Sequence, residues 1–151
     1  MALIGKLISY VEISSDGKVL YDLFWHKQTD CASICPEKVH GCDLLEGERG
    51  VVGSTIIWHY THDGKKRVAK ERIEAIDPAN HKIVLKVVEG EVKDTYKDFT
   101  LTFHYEEKDG KKYVIWTMEF ERPDTSVPYP TDVMDYLCGL LKDMDNHCNT
   151  K

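Results

Sequence analysis

The run Glu46-Gly47-Glu48-Arg49-Gly50-Val51-Val52-Gly53 carries three glycines at a spacing of three, the pattern of a phosphate-binding loop. Such a loop needs a helix opening straight after the glycines, because its N-terminal amides and dipole hold the phosphate. Here the chain continues as Ser54-Thr55-Ile56-Ile57-Trp58-His59-Tyr60, which is β-branched and aromatic and predicts a strand. The preceding Lys38-Val39-His40-Gly41-Cys42-Asp43-Leu44-Leu45 is strand-like too. A glycine-rich loop between two strands is a hairpin turn, not a nucleotide cradle. The question becomes what the sheet encloses.

Outward from that hairpin, the chain up to about Arg122 is a series of strands separated by His62-Asp63-Gly64, Asp77-Pro78-Ala79-Asn80, Glu89-Gly90-Glu91 and Lys108-Asp109-Gly110. Short hairpin loops of this kind make an antiparallel meander. Upstream, Leu3 to Ile13 forms a first strand, and Ser14-Ser15-Asp16-Gly17 turns the chain into a short helix with Leu20, Leu23 and Phe24 at helical spacing. A second short helix fits Thr29 to Ile34, stopped by Pro36. After Pro123, Pro128 and Pro130, the residues Val133, Leu137, Leu140, Leu141 and Met144 recur on one face of a helix, with Asp135, Lys142, Asp143 and Asp145 mostly elsewhere. That helix runs about 17 residues, roughly 25 Å. Gly139 in its middle costs about 1 kcal/mol against alanine and marks a bend or a close approach.

The 151 residues suit one domain, 1–151, with 42% hydrophobic and 30% charged residues. A net charge of −6 argues against a nucleic-acid partner. Met1-Ala2-Leu3-Ile4-Gly5-Lys6 lacks the apolar core of a signal peptide and no segment reaches membrane-spanning length, so a cytoplasmic protein is expected. Five cysteines without a secretory signal point to reduced thiols. Cys31, Cys35, His40 and Cys42 match no standard zinc spacing, and Pro36 separates them, so no metal and no cofactor is expected.

About seven strands at a spacing near 4.8 Å make a sheet roughly 30 Å wide, against a helix about 10 Å across. One helix leaves part of such a sheet uncovered, so the sheet curls tightly around it or a cavity remains. Ile56, Trp58 and Tyr60 alternate with Thr55, Ile57 and His59; Phe99, Leu101, Phe103 and Tyr105 with Thr100, Thr102 and His104; Val114, Trp116, Met118 and Phe120 with Ile115, Thr117, Glu119 and Glu121. Period two predicts one buried face and one wet face. The buried face fits a packed core and an aromatic-lined ligand pocket alike. Glu71 shares parity with Ala69 and Ile73. It either faces the interior, where burial would raise its pKa and a ligand hydroxyl or amine could meet it, or sits at the rim beside Lys70 or Arg72. The seven histidines announce no catalytic set, and no inward lysine or histidine accompanies Glu71.

Taken together, Gly41-Cys42-Asp43-Leu44-Leu45-Glu46-Gly47-Glu48, Val52-Gly53-Ser54, Trp58-His59-Tyr60-Thr61-His62-Asp63-Gly64-Lys65, Ala69-Lys70-Glu71, Ile73-Glu74-Ala75-Ile76-Asp77, Lys86-Val87-Val88-Glu89-Gly90 and Trp116-Thr117-Met118-Glu119-Phe120-Glu121 resemble the Bet v 1 superfamily, and within it the major latex protein branch related to plant pathogenesis-related class 10 proteins. The resemblance runs from Gly5-Lys6-Leu7 to the terminal helix. It implies an α+β, START-like helix-grip fold: a seven-stranded curved antiparallel sheet around a long C-terminal helix, with two short helices forming a V. It also implies an interior cavity for apolar or amphipathic molecules of the flavonoid, steroid, fatty acid, cytokinin or alkaloid classes. By strand alignment, the cavity-facing positions of the family fall on Trp58, Tyr60, Glu71, Leu85, Phe99, Leu101, Phe103, Trp116 and Met118, with Met134, Leu137, Cys138 and Leu141 from the helix. Glu48 and Arg49 stand where the pathogenesis-related branch is richer in glycine, which speaks against nucleotide binding there. The gate and latch motifs of the related hormone receptors are not recognisable.

The resemblance implies a binding or carrier protein for a plant small molecule, monomeric or weakly dimeric, with a role in defence or stress response. An enzyme of plant specialised metabolism, performing isomerisation, cyclisation or condensation in the same cavity with Glu71 as acid or base, is the alternative. A single inward carboxylate favours binding, since proton-transfer catalysis usually wants an acid and a base.

Overall fold

The computed structural model describes residues 3–149; Met1, Ala2, Thr150 and Lys151, the ends of the expected domain, lie outside the described residues. Strand β1 (Leu3–Ile13) leads into helices α1 (Gly17–Trp25) and α2 (Gln28–Ile34). Strands β2 (Val39–Glu46), β3 (Thr55–His62), β4 (Lys65–Asp77) and β5 (Lys82–Gly90) follow, with one 3₁₀ turn at Pro78–Asn80. A one-turn helix α3 (Glu91–Thr95), strands β6 (Asp98–Lys108) and β7 (Lys111–Arg122), and helix α4 (Thr131–Asn149) complete the chain. Among the described residues no helix is long and apolar enough to cross a membrane.

The strands form one seven-stranded sheet in the order β1-β7-β6-β5-β4-β3-β2, antiparallel at every pairing. From β2 to β7 each strand pairs with the next in sequence, as a meander requires; β1 closes onto β7 at the far edge. The glycine run is a hairpin tip between β2 and β3, and Gly47, Gly50 and Gly53 all take positive φ (80°, 77° and 89°), which a side chain would resist. Arg49 ties this tip down: its guanidinium donates to Gln28 Oε1 at 3.1 Å and to the Cys42 carbonyl at 3.0 Å. The arginine that departs from the glycine-rich pattern is therefore a clasp between the hairpin, α2 and β2.

One expectation is corrected. Glu89-Gly90-Glu91 is not a plain hairpin turn: β5 runs through Gly90, and the connection to β6 holds the helical turn α3. Gly90 makes this possible with φ of 127°, and a Cβ there would stand 2.4 Å from the Val68 carbonyl oxygen. Helix α4 spans 19 residues, against about 17 expected, and runs continuously through Gly139. Of the two readings of that glycine, the close approach is the one seen, since a Cβ would lie 3.2 Å from Lys38 Nζ.

Helix α4 is anchored at its C-terminal half. Asp145, expected on the wet side, is buried and accepts from the N–H of Ser14 at 3.0 Å, from the N–H of Ser15 at 2.9 Å and from the Ser15 hydroxyl. The helix is thereby fastened to the loop between β1 and α1. Its face bearing Cys138 and Asp145 turns to β1, where the Ser9 hydroxyl meets the Cys138 sulfur.

Candidate functional site

Between the sheet, α1 and α4 lies a cavity, part of it open to solvent. Antiparallel register decides what faces it. Ile56, Trp58 and Tyr60 of β3 pair with Glu71, Ala69 and Arg67 of β4, and partners directly opposite share a face of the sheet. Trp58, Tyr60, Ala69 and Glu71 line the cavity together with Val87 of β5, Phe99 and Leu101 of β6 and Trp116 of β7. Phe24 and Trp25 of α1, Val39 of β2 and Val92 of α3 line it too, and α4 contributes Val133, Tyr136, Leu137 and Leu140.

Of the residues expected there, Trp58, Tyr60, Glu71, Phe99, Leu101, Trp116 and Leu137 come together on the wall. Leu85, Phe103, Met118, Met134, Cys138 and Leu141 do not line it. Leu85 is enclosed between Ile73 and Leu101, its partners on both neighbouring strands. Phe103 is covered by Phe24, Trp25, Tyr21 and Trp116, whose ring centres stand 5.3–6.0 Å from its own. Met118, opposite both Leu7 and Leu101, is fully buried in the core cluster. The helical residues share one reason: Met134, Cys138 and Leu141 lie a step around α4 from its cavity face, where Cys138 meets Ser9 of β1 and Met134 and Leu141 are buried in the core. The cavity face is Val133, Tyr136, Leu137 and Leu140, the same i, i+3, i+4, i+7 spacing displaced by one residue, about 100° around the axis.

Glu71 sits at a β-bulge. Lys70 pairs with Glu89 but Glu71 pairs with Val87, so β5 carries one extra residue there. The carboxyl group is inside rather than at the rim, with 7% of the residue exposed. Burial pushes its pKa from 4.5 up to about 7, opposed in part by a hydrogen bond from the Trp58 side chain. Trp25 and Trp116 also line the cavity, yet their indole nitrogens are buried with no hydrogen-bond partner. An unpaired buried donor costs roughly 1–3 kcal/mol.

A polar cluster beside the wall escaped the sequence pattern. His62 follows the inward parity of Ile56, Trp58 and Tyr60, is buried, and lies 5.2 Å from the Tyr136 ring. Glu91 of α3 accepts from the Tyr60 hydroxyl at 3.4 Å, pairs with Arg67 Nε at 3.1 Å, and stands 3.7 Å from His62 Nδ1. Burial first, then the Glu91 charge, pushes the Tyr60 hydroxyl pKa well above its usual value. Tyr136 donates its hydroxyl to the Lys38 carbonyl at 2.7 Å. Extending the strand alternation one step, through His62 to the turn at Asp63-Gly64, is the signal that finds this histidine.

Among the described residues, the group with ion-ligating spacing is His62, Asp63 and Asp132, whose ligand atoms all lie within 4.8 Å of one another. Both aspartates are exposed, an arrangement common without any ion. Cys31, Cys35, His40 and Cys42 form no such group. Burial pushes the thiol pKa of Cys31 and of Cys42 to about 12 and that of Cys35 to about 11, so none is poised as a nucleophile.

Comparison with known proteins places this architecture. The model of the pathogenesis-related protein Bet v 1 family matches residues 2–151. MLP-like protein 43 of Arabidopsis thaliana is 37% identical over 148 residues, covering 97% of this chain and 94% of that protein. MLP-like protein 28 of the same plant is 36% identical across 97% of this chain, which spans only 44% of that longer protein. The crystal structure of ginseng major latex-like protein 151 from Panax ginseng superposes with a TM-score of 0.91 at 39% identity, covering 96% of this chain and 97% of that one. This chain belongs to the pathogenesis-related protein Bet v 1 family and, within it, groups with the major latex proteins.

Proposed function

We infer that the chain is a binding or carrier protein for an apolar or amphipathic small molecule held in this cavity. The observation that carries the reading is the composition of the wall: aromatic and aliphatic side chains on all sides, with Glu71 as the carboxyl group among them. Apolar burial, at roughly 25 cal/mol per Å², would supply most of the affinity. Glu71 and Tyr60 would orient a polar group on the ligand. A cytoplasmic location and a role in defence or stress response belong to the same reading and rest on the family.

One observation favours catalysis as a second reading. A carboxyl group that titrates near neutrality inside a cavity can serve as a general acid or base. Behind Tyr60, whose hydroxyl bonds to Glu91, the Glu91 carboxylate is engaged by Arg67 and His62 and lies off the wall, so it supplies no free partner base.

Native mass spectrometry of the protein isolated from its source tissue tests the first reading. A stoichiometric small molecule released unchanged supports a carrier. An empty protein that converts a candidate ligand on incubation replaces that reading with the second.

A further inference from the structure

The turn from β3 to β4 sets a histidine beside an aspartate, and the first turn of α4 brings a second aspartate to them. One ligand atom each from His62, Asp63 and Asp132 lies within 4.8 Å of the other two. Exposed aspartates alone would signify a solvated turn and a helix start that favours negative charge. The histidine separates this group from such a pair. His62 is only 8% exposed, and its Nε2 stands 3.9 Å from Asp63 Oδ2, beyond hydrogen-bonding distance. A buried imidazole nitrogen thus faces an exposed carboxylate across a gap that suits an ion: two ligands on one tetrahedral zinc stand roughly 3.4 Å apart.

The far side of the ring is arranged as metal-bound histidines require. Nδ1 faces Glu91 at 3.7 Å, and Glu91 is itself held by Arg67 Nε at 3.1 Å and by the Tyr60 hydroxyl at 3.4 Å. A carboxylate behind the imidazole fixes ring and tautomer and leaves Nε2 to the metal. The Arg67 charge offsets that of Glu91, so the two aspartates present their own charge to a cation. Tyr136, one helical turn from Asp132, packs its ring 5.2 Å from that of His62 and fixes where the start of α4 meets the hairpin.

We propose that His62, Asp63 and Asp132 form a site for one divalent cation of the zinc class, joining the β3–β4 turn to the first turn of α4. A neutral imidazole and two carboxylates balance the charge of a dication and leave a fourth position for water. The nitrogen ligand selects zinc over calcium and magnesium, which prefer oxygen shells. Both aspartates are exposed, so their side chains can rotate by the roughly 1 Å that closure around zinc needs, while buried His62 stays in place. The site lies beside Tyr60, Val133 and Tyr136 of the cavity wall but makes no use of Glu71, so it stands whether or not the cavity is a ligand site.

The test uses untagged full-length protein, stripped with a chelator and titrated calorimetrically with zinc chloride, with magnesium chloride as the oxygen-preferring control. One zinc per chain is expected, bound at least about 100-fold more tightly than magnesium and raising the unfolding temperature. Asp63→Asn and Asp132→Asn change exposed side chains, so both should fold, and each should weaken zinc at least about tenfold. His62→Gln should remove the binding where it folds. Imidazole ¹H–¹⁵N spectra of the unsubstituted protein read the same ligand without a variant, as a zinc-dependent shift of His62 Nε2. No zinc binding, zinc affinity unchanged by either aspartate substitution, an unmoved His62 signal, or magnesium bound as tightly as zinc overturns the site.

Discussion

Asp145 of α4 accepts the Ser15 N–H at 2.9 Å across 130 residues of chain, which fastens the last turns of the long helix to the start of α1. The same carboxylate takes the Ser14 N–H at 3.0 Å and the Ser15 hydroxyl. Asp145→Ala leaves two backbone donors and a hydroxyl without this acceptor at a buried site, and is expected to cost roughly 2–4 kcal/mol. Asp145→Asn keeps one acceptor oxygen and should cost less. Urea unfolding of the two variants checks the order; a loss below about 0.5 kcal/mol for Asp145→Ala would mean the anchor is not needed.

Two glycine substitutions should act in opposite directions. Gly90→Ala forces a residue with a side chain into φ of 127° and drives its Cβ to 2.4 Å from the Val68 carbonyl, a backbone atom held in the sheet. A loss of at least about 2 kcal/mol is expected, together with disorder of α3 and of the Glu91 pairs beside the cavity. Gly139→Ala meets only the end of the long Lys38 side chain at 3.2 Å, which can give by a few tenths of an ångström while keeping its pair with Asp143 (2.8 Å), so the helix-propensity gain, up to about 1 kcal/mol, should prevail. Thermal unfolding of both proteins compares the signs directly.

Thiol reactivity follows burial. With pKa values near 12, Cys31 and Cys42 should resist iodoacetamide at pH 7.5 in the folded protein and react readily in urea. Half-buried Cys138 should be modified sooner than either. Peptide mass mapping after timed alkylation decides this, and early labelling of Cys42 would mean that the β2 wall opens frequently.

Much of this architecture is written in local pattern. Period-two alternation in Phe99-Leu101-Phe103-Tyr105 and its neighbours, punctuated by Asp-Gly turns, determines a meander, and the proline-rich stretch before Thr131 marks the start of α4. The resemblance to Bet v 1 proteins supplies the topology that pattern alone leaves open. What stays hidden depends on tertiary packing. Helical periodicity identifies the apolar side of α4 but does not tell which of its two seams faces β1 and which faces the cavity, so Met134, Cys138 and Leu141 are expected one residue away from the true wall of Val133, Tyr136, Leu137 and Leu140. Asp145 looks like a solvated charge until Ser14 and Ser15 are brought to it. His62 is masked by the turn that follows it. Leu85, Phe103 and Met118 have inward parity, but parity separates inside from outside and does not separate core from cavity.

The pH dependence of stability should carry the signature of Glu71. In the unfolded chain this group titrates near 4.5, and in the folded chain burial holds it near 7. Between those values the folded protein keeps a proton that the unfolded protein has released, so stability falls as pH rises through this window. Below about 4.5 both forms are protonated and the effect vanishes; above 7 both are ionised and it is complete, at roughly 3 kcal/mol. Glu71→Gln keeps the shape and cannot ionise. It should match the wild type near pH 4.5 and exceed it in stability at pH 8. At the same time it should weaken any ligand whose hydroxyl needs a charged acceptor, so stability and affinity would move in opposite directions at pH 8. Urea titrations at pH 4.5, 6 and 8, paired with ligand binding at the same values, separate these effects. Parallel stability curves for the two proteins would show that the Glu71 carboxyl is solvated in solution and would remove it from the interior of the cavity.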